Sequence, residues 1–163
     1  MILGMSDSTF TLVHVVLSLI GIVSGIVVVF GMLGANRLPG LTAVFLATTV
    51  LTSATGFLFP STGFGPPQVI GALSLVVLAV AIYALYIGRL AGFWRWLYVI
   101  GAMLALYLNC FVAVVQAFQK LPFLQPLAPT QSEPPFVVAQ VVVMAIFIAL
   151  GIGAVRKFHP APR

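Results

Sequence analysis

His14 and Ser18 stand one helical turn apart in one apolar run, and Asn109 and Gln116 stand seven residues apart in another. An imidazole beside a hydroxyl is the start of a nucleophile–base pair, and amides aligned on a helix can line the wall of a polar cavity. Neither suggestion completes itself. Nucleophilic catalysis needs a third group to orient the base, and both acids of the chain, Asp7 and Glu133, lie outside the apolar runs. No GxSxG or HExxH signature occurs, which argues against an enzyme. Bis-histidine haem needs a second intramembrane histidine, yet His159 sits in a basic tail, and Met144 is the only methionine at a compatible depth. Zinc or copper sites need three or four donors. The single Cys110, inside an apolar run, excludes an intrachain disulfide and reads as a small buried hydrophobe. No cofactor and no metal is expected.

The elements that carry these residues follow from composition. Of 163 residues, 62% are hydrophobic and only 6% charged, against roughly a quarter charged in soluble domains. Such a chain cannot cover itself with a polar surface, so the lipid bilayer must be its solvent. A spanning helix needs about 20 apolar residues, and the runs read as five spans at about 11–33, 38–59, 68–88, 94–119 and 135–155. The fold expected is an all-α, multi-pass integral membrane helix bundle forming a single domain over 1–163. The first run follows Asp7 and lacks a basic leader, so it reads as a retained span, with Ser6 or Ser8 as its cap. Five prolines between Pro122 and Pro135 keep a loop at 120–134 out of regular helix.

Orientation follows from the cations. Arg37, Arg89, Arg95, Arg156, Lys157 and Arg163 fall at one set of span ends, whereas Lys120 falls at the other with both acids. Lys and Arg collect on the cytoplasmic side, which places the N-terminus outside, the C-terminus inside and the Pro-rich loop on the extracytoplasmic face. The setting expected is the bacterial cytoplasmic (inner) membrane. A net charge of +5 made of span-end cations offers no folded basic patch, so nucleic acid is not an expected partner.

On the fourth span, Tyr98, Ala102, Ala105, Asn109, Ala113, Gln116 and Lys120 recur at helical spacing and form one stripe of small and polar side chains. Leu104, Leu108, Phe111 and Val115 lie off it, toward lipid or other neighbours. The first span has a matching stripe of His14, Ser18, Gly21, Gly25 and Met32, in which Gly21-xxx-Gly25 is a small-xxx-small contact pattern. His14, Ser18, Thr52, Thr55, Gln68, Asn109, Gln116 and Gln140 share the outer half of the membrane and form the candidate polar pocket. Two readings compete for the stripes: a seam where helices pack, or one wall of a cavity. Lys120 and Glu133 are accounted for by helix dipoles, by pairing with each other, or by capping, where Thr130–Glu133 fits a capping box but the prolines make Ser132 or Glu133 the better cap.

The functional expectation is a non-catalytic accessory, assembly or interaction protein. It would meet the lipid bilayer and, through its small-residue helix faces, a protein partner or a second copy. The alternative is a transporter or channel-like protein for a small neutral or weakly basic solute, with its pocket open to the extracytoplasmic side.

Overall fold

The computed structural model describes residues 1–160, so Arg163, counted above among the cations, lies outside the described residues. The order is α1 (Asp7–Leu33), α2 (Pro39–Gly56), α3 (Pro66–Ile82), α4 (Phe93–Lys120) and α5 (Pro134–Lys157). A π-helical turn, Tyr83–Ile87, extends α3, and a 3₁₀ turn, Gln125–Leu127, lies in the Pro-rich loop. No strand occurs among the described residues.

Local chemistry explains the boundaries. Ser6 caps α1 by accepting from the Thr9 N–H at 3.2 Å. Pro39, Pro66 and Pro134 open α2, α3 and α5, where the missing N–H costs nothing and the fixed φ suits a first turn. Helix α1 starts four residues before the apolar run, because Asp7 suits the positive end of the dipole. Helix α2 closes at Gly56, short of the expected 59, and leaves Phe59 free to pack on its neighbours.

Four helices are long and apolar enough to cross a membrane: α1, α3 with its π turn, α4 and α5. Helix α2 is the exception. Its 18 residues rise about 27 Å at ~1.5 Å each, and hydroxyls lower its hydropathy. Those hydroxyls are satisfied within the helix. Thr48, Thr49, Thr52 and Thr55 donate to the carbonyls of Val44, Phe45, Thr48 and Leu51 at 2.6–2.7 Å, which makes them tolerable in an apolar medium.

Helix α4 is the hub, packing against α1, α2, α3 and α5. Half of its apolar span is buried, against 6% for α5. Encirclement by four neighbours decides between lipid and other helices for Leu108, which lies off the stripe and is only 8% exposed. The stripe itself runs inward at Tyr98, Ala102, Ala105 and Asn109 and emerges at Gln116 and Lys120, which are exposed. At the opposite end of the bundle the links are tight. Leu38, in a left-handed conformation (φ 44°), lays its side chain where a Cβ on Gly31 would sit, and Trp94 does the same at Gly88.

Candidate functional site

Three helices converge at Gly21. A Cβ there would lie 3.0 Å from Thr49 Oγ1, 3.3 Å from Asn109 Nδ2 and 3.3 Å from Thr48 Oγ1. One turn on, a Cβ at Gly25 would lie 2.7 Å from Leu106 and 2.8 Å from Phe45. The two glycines therefore let α1 lie directly on α2 and α4, the close approach that small residues permit between helices in lipid.

Two interhelical hydrogen-bonded pairs frame this contact. Ser18 Oγ on α1 donates to Asn109 Oδ1 on α4 at 3.0 Å, and Asn109 Nδ2 reaches the Ser18 carbonyl at 3.5 Å. A turn toward the α1 N-terminus, His14 Nδ1 lies 2.8 Å from Thr55 Oγ1 of α2. The Thr55 hydroxyl hydrogen is already given to the Leu51 carbonyl at 2.6 Å, so the Thr55 oxygen accepts and His14 Nδ1 carries the proton. Phe59 closes over the imidazole, edge to face, at a centroid separation of 5.0 Å.

The eight residues of the expected pocket thus separate. His14 and Thr55 pair, and Ser18 and Asn109 pair. Thr52 is spent on the Thr48 carbonyl. Gln68 turns back at 2.9 Å to the Gly65 N–H and completes the N-terminal turn of α3. Gln140 on α5 donates to the Phe111 carbonyl of α4 at 3.2 Å, and Gln116 is exposed. Around α1 these side chains bond from helix to helix.

The charged residues of the loop meet the expectation in part: Lys120 lies in the last turn of α4, Glu133 is the N-cap residue of α5, and the Glu133 carboxylate accepts from the Thr130 N–H as a capping box requires. The Glu133 side chain makes no capping bond to α5 itself. Its carboxylate accepts from Thr130 N, Thr130 Oγ1 and Ser132 N at 3.1, 2.7 and 3.1 Å. These bonds, that of the Thr130 side chain foremost, hold its pKa below the ordinary 4.5. It forms no ion pair with Lys120; Asp7 meets the N-terminal ammonium at 3.4 Å. No three His, Cys, Asp or Glu groups gather as a metal set among the described residues. Cys110 is half-buried and unpaired with another cysteine.

No family model, curated protein or solved structure matches the chain. Function must therefore be argued from the chain's own geometry.

Two features carried no signal in the sequence. Arg95, read as an interfacial cation, donates from Nη1 to the carbonyls of Val155 and Phe158 at 2.7 and 3.0 Å. It closes the C-terminal end of α5 from α4, a tertiary cap that no local pattern announces. The second feature is an open groove of about 570 Å³ between α4 and α5, lined by none of the candidate polar residues. Its walls include Val99, Met103, Tyr107, Phe147 and Gly151, and Arg156 stands at one end.

Proposed function

We propose that this is a five-span protein of the bacterial cytoplasmic membrane, N-terminus outside and C-terminus inside, serving as a non-catalytic accessory or assembly component. The observation that carries the reading is the use of the polar groups within the helices. His14, Ser18, Thr55 and Asn109 are committed to bonds that hold α1, α2 and α4 together, and Gln140 gives its amide N–H to α4 while its Oε1 stays buried without a partner. Buried polar groups spent on each other stabilise an architecture and leave little to recognise or transform a solute. The small-residue face of α1 is likewise consumed inside the chain, so a protein partner or a second copy would meet other helix faces.

Five spans are supported by the way α2 pairs with α1 and α3, and by its nearly bilayer-deep length with hydroxyls satisfied internally. The orientation is supported by charge. Arg37, Arg89, Arg95, Arg156 and Lys157 lie at one set of helix ends and links, while Lys120, Asp7 and Glu133 lie at the other.

Two measurements test this. A reporter active only in the cytoplasm should work when fused after Arg163 and fail when inserted within 124–132; the reverse pattern would overturn the orientation. Native mass spectrometry of particles excised directly from the membrane should show the 17.3 kDa chain joined to a second polypeptide or to copies of itself. A monomer that a small neutral or weakly basic solute stabilises against heat, with the effect abolished by Asn109→Ala, would replace this reading with transport.

A further inference from the structure

We infer that the α4–α5 groove is a binding site for one acyl chain of an anionic phospholipid, with Arg156 receiving the phosphate. The inference rests on the chain's being embedded in a bilayer and is independent of its orientation and of its role as an accessory protein.

Dimensions come first. Along α5 the groove runs from Met144 to Arg156, about 18 Å at ~1.5 Å per residue. Half of a ~30 Å hydrocarbon core is about 15 Å, so the groove is one leaflet deep and ends where a headgroup would lie. Its volume of about 570 Å³ is within the ~300–1,000 Å³ typical of small-molecule sites.

Chemistry gives the occupant. The walls are aliphatic, aromatic and thioether side chains, suited to a flexible hydrocarbon. At the headgroup end Arg156 lines the groove and Lys157 follows it, both exposed. The Arg95 guanidinium is bonded to the Val155 carbonyl beside them, so positive charge is concentrated within a few residues. Neither acid of the chain is near: Asp7 precedes the body of α1 and Glu133 lies at the opposite end of α5. A phosphodiester without a compensating ammonium meets this end best, since basic clusters at the membrane surface recognise anionic headgroups. Arginine also offers a planar fork that matches phosphate oxygens.

Gly151 supplies the discriminating variant. A Cβ there would meet only Met103 Cε, at 4.0 Å, so Gly151→Leu fills the groove without disturbing the packed faces. The intact protein in mild detergent is given equimolar dioleoylphosphatidylglycerol and dioleoylphosphatidylcholine, and retained lipid is counted by native mass spectrometry. The wild type should prefer the glycerol lipid by about fivefold for each cation within reach of the headgroup. Arg156→Gln should lower that preference by a similar factor with unchanged melting temperature, and Gly151→Leu should reduce retention of both lipids. Equal retention of the two lipids by the wild type would overturn the proposal. So would a preference that survives in the Arg156→Gln/Lys157→Gln double variant, or a lipid-free dimer that Gly151→Leu dissociates. A failure of the membrane reading would show separately, as a protein that does not incorporate into bilayers.

Discussion

Ser18 and Asn109 engage one another twice, hydroxyl to amide oxygen at 3.0 Å and amide nitrogen to backbone carbonyl at 3.5 Å. The first bond disappears when either side chain is removed, so a double-mutant cycle isolates it. Ser18→Ala and Asn109→Ala should each destabilise the protein in detergent unfolding. Their coupling should be about 0.6 kcal/mol, and no more than ~1.7 kcal/mol, the range for hydrogen bonds between membrane helices. Strict additivity would mean that the two residues do not meet.

Gly25 and Gly151 should respond in opposite directions to the same change. At Gly25 a new methyl would press on Leu106 and Phe45 at 2.7 and 2.8 Å. Gly25→Ala should cost about 1–3 kcal/mol, as overpacking does, and Leu106→Ala in the same chain should recover part of that. At Gly151 the nearest atom stands 4.0 Å away, so helix propensity dominates and Gly151→Ala should gain up to about 1 kcal/mol. Equal effects at the two sites would contradict the packing of α1.

Arg95 should govern the end of α5 and little else. Arg95→Gln removes a charged donor from the Val155 and Phe158 carbonyls, a loss of about 1–3 kcal/mol for bonds of this kind. Hydrogen exchange should quicken at the last turn of α5 and remain slow in α1 and α2. Arg95→Lys should restore protection only in part, because an ammonium on a flexible stem lacks the pre-organised fork. Uniform acceleration through all helices would show a global role instead.

Glu133 makes the loop sensitive to acid. Its folded pKa is held below the ordinary 4.5, chiefly by the Thr130 side-chain hydrogen bond. A depressed carboxylate pKa means that the stabilisation is fully present above the unfolded value and is lost as pH falls through the folded one. Amide protection at Thr130 and Ser132 should therefore hold at neutral pH and fall away only as the pH drops through that depressed value. Glu133→Gln should flatten the profile; protection that is independent of pH in the wild type would sink the assignment.

Helix positions and the small-residue contact of α1 were legible in the sequence, because apolar runs, prolines and Gly21-xxx-Gly25 act locally. Gln68 shows a local signal read for the wrong purpose. With Pro66 as first helical residue, Gln68 is third, the place from which a side chain returns to the N-cap N–H. Leu108 and Arg95 show what local signals omit. Leu108 is buried because four helices surround α4, and Arg95 finds its acceptors 60 and 63 residues away. Helix α5, apolar on every side, has no periodicity from which its contact with Phe111 through Gln140 could have been read.

The 91-residue separation between Ser18 and Asn109 also sets a schedule for biogenesis. At ~5–20 residues per second of synthesis, Ser18 precedes its partner by roughly 5–18 s. The α1–α2 hairpin can close early on His14 and Thr55, only 41 residues apart. During the interval Ser18 can turn its hydroxyl to a carbonyl one turn back, as the threonines of α2 do. Asn109 cannot return its whole amide to the helix in that way, so it gains its Ser18 partner only when α4 docks on the hairpin.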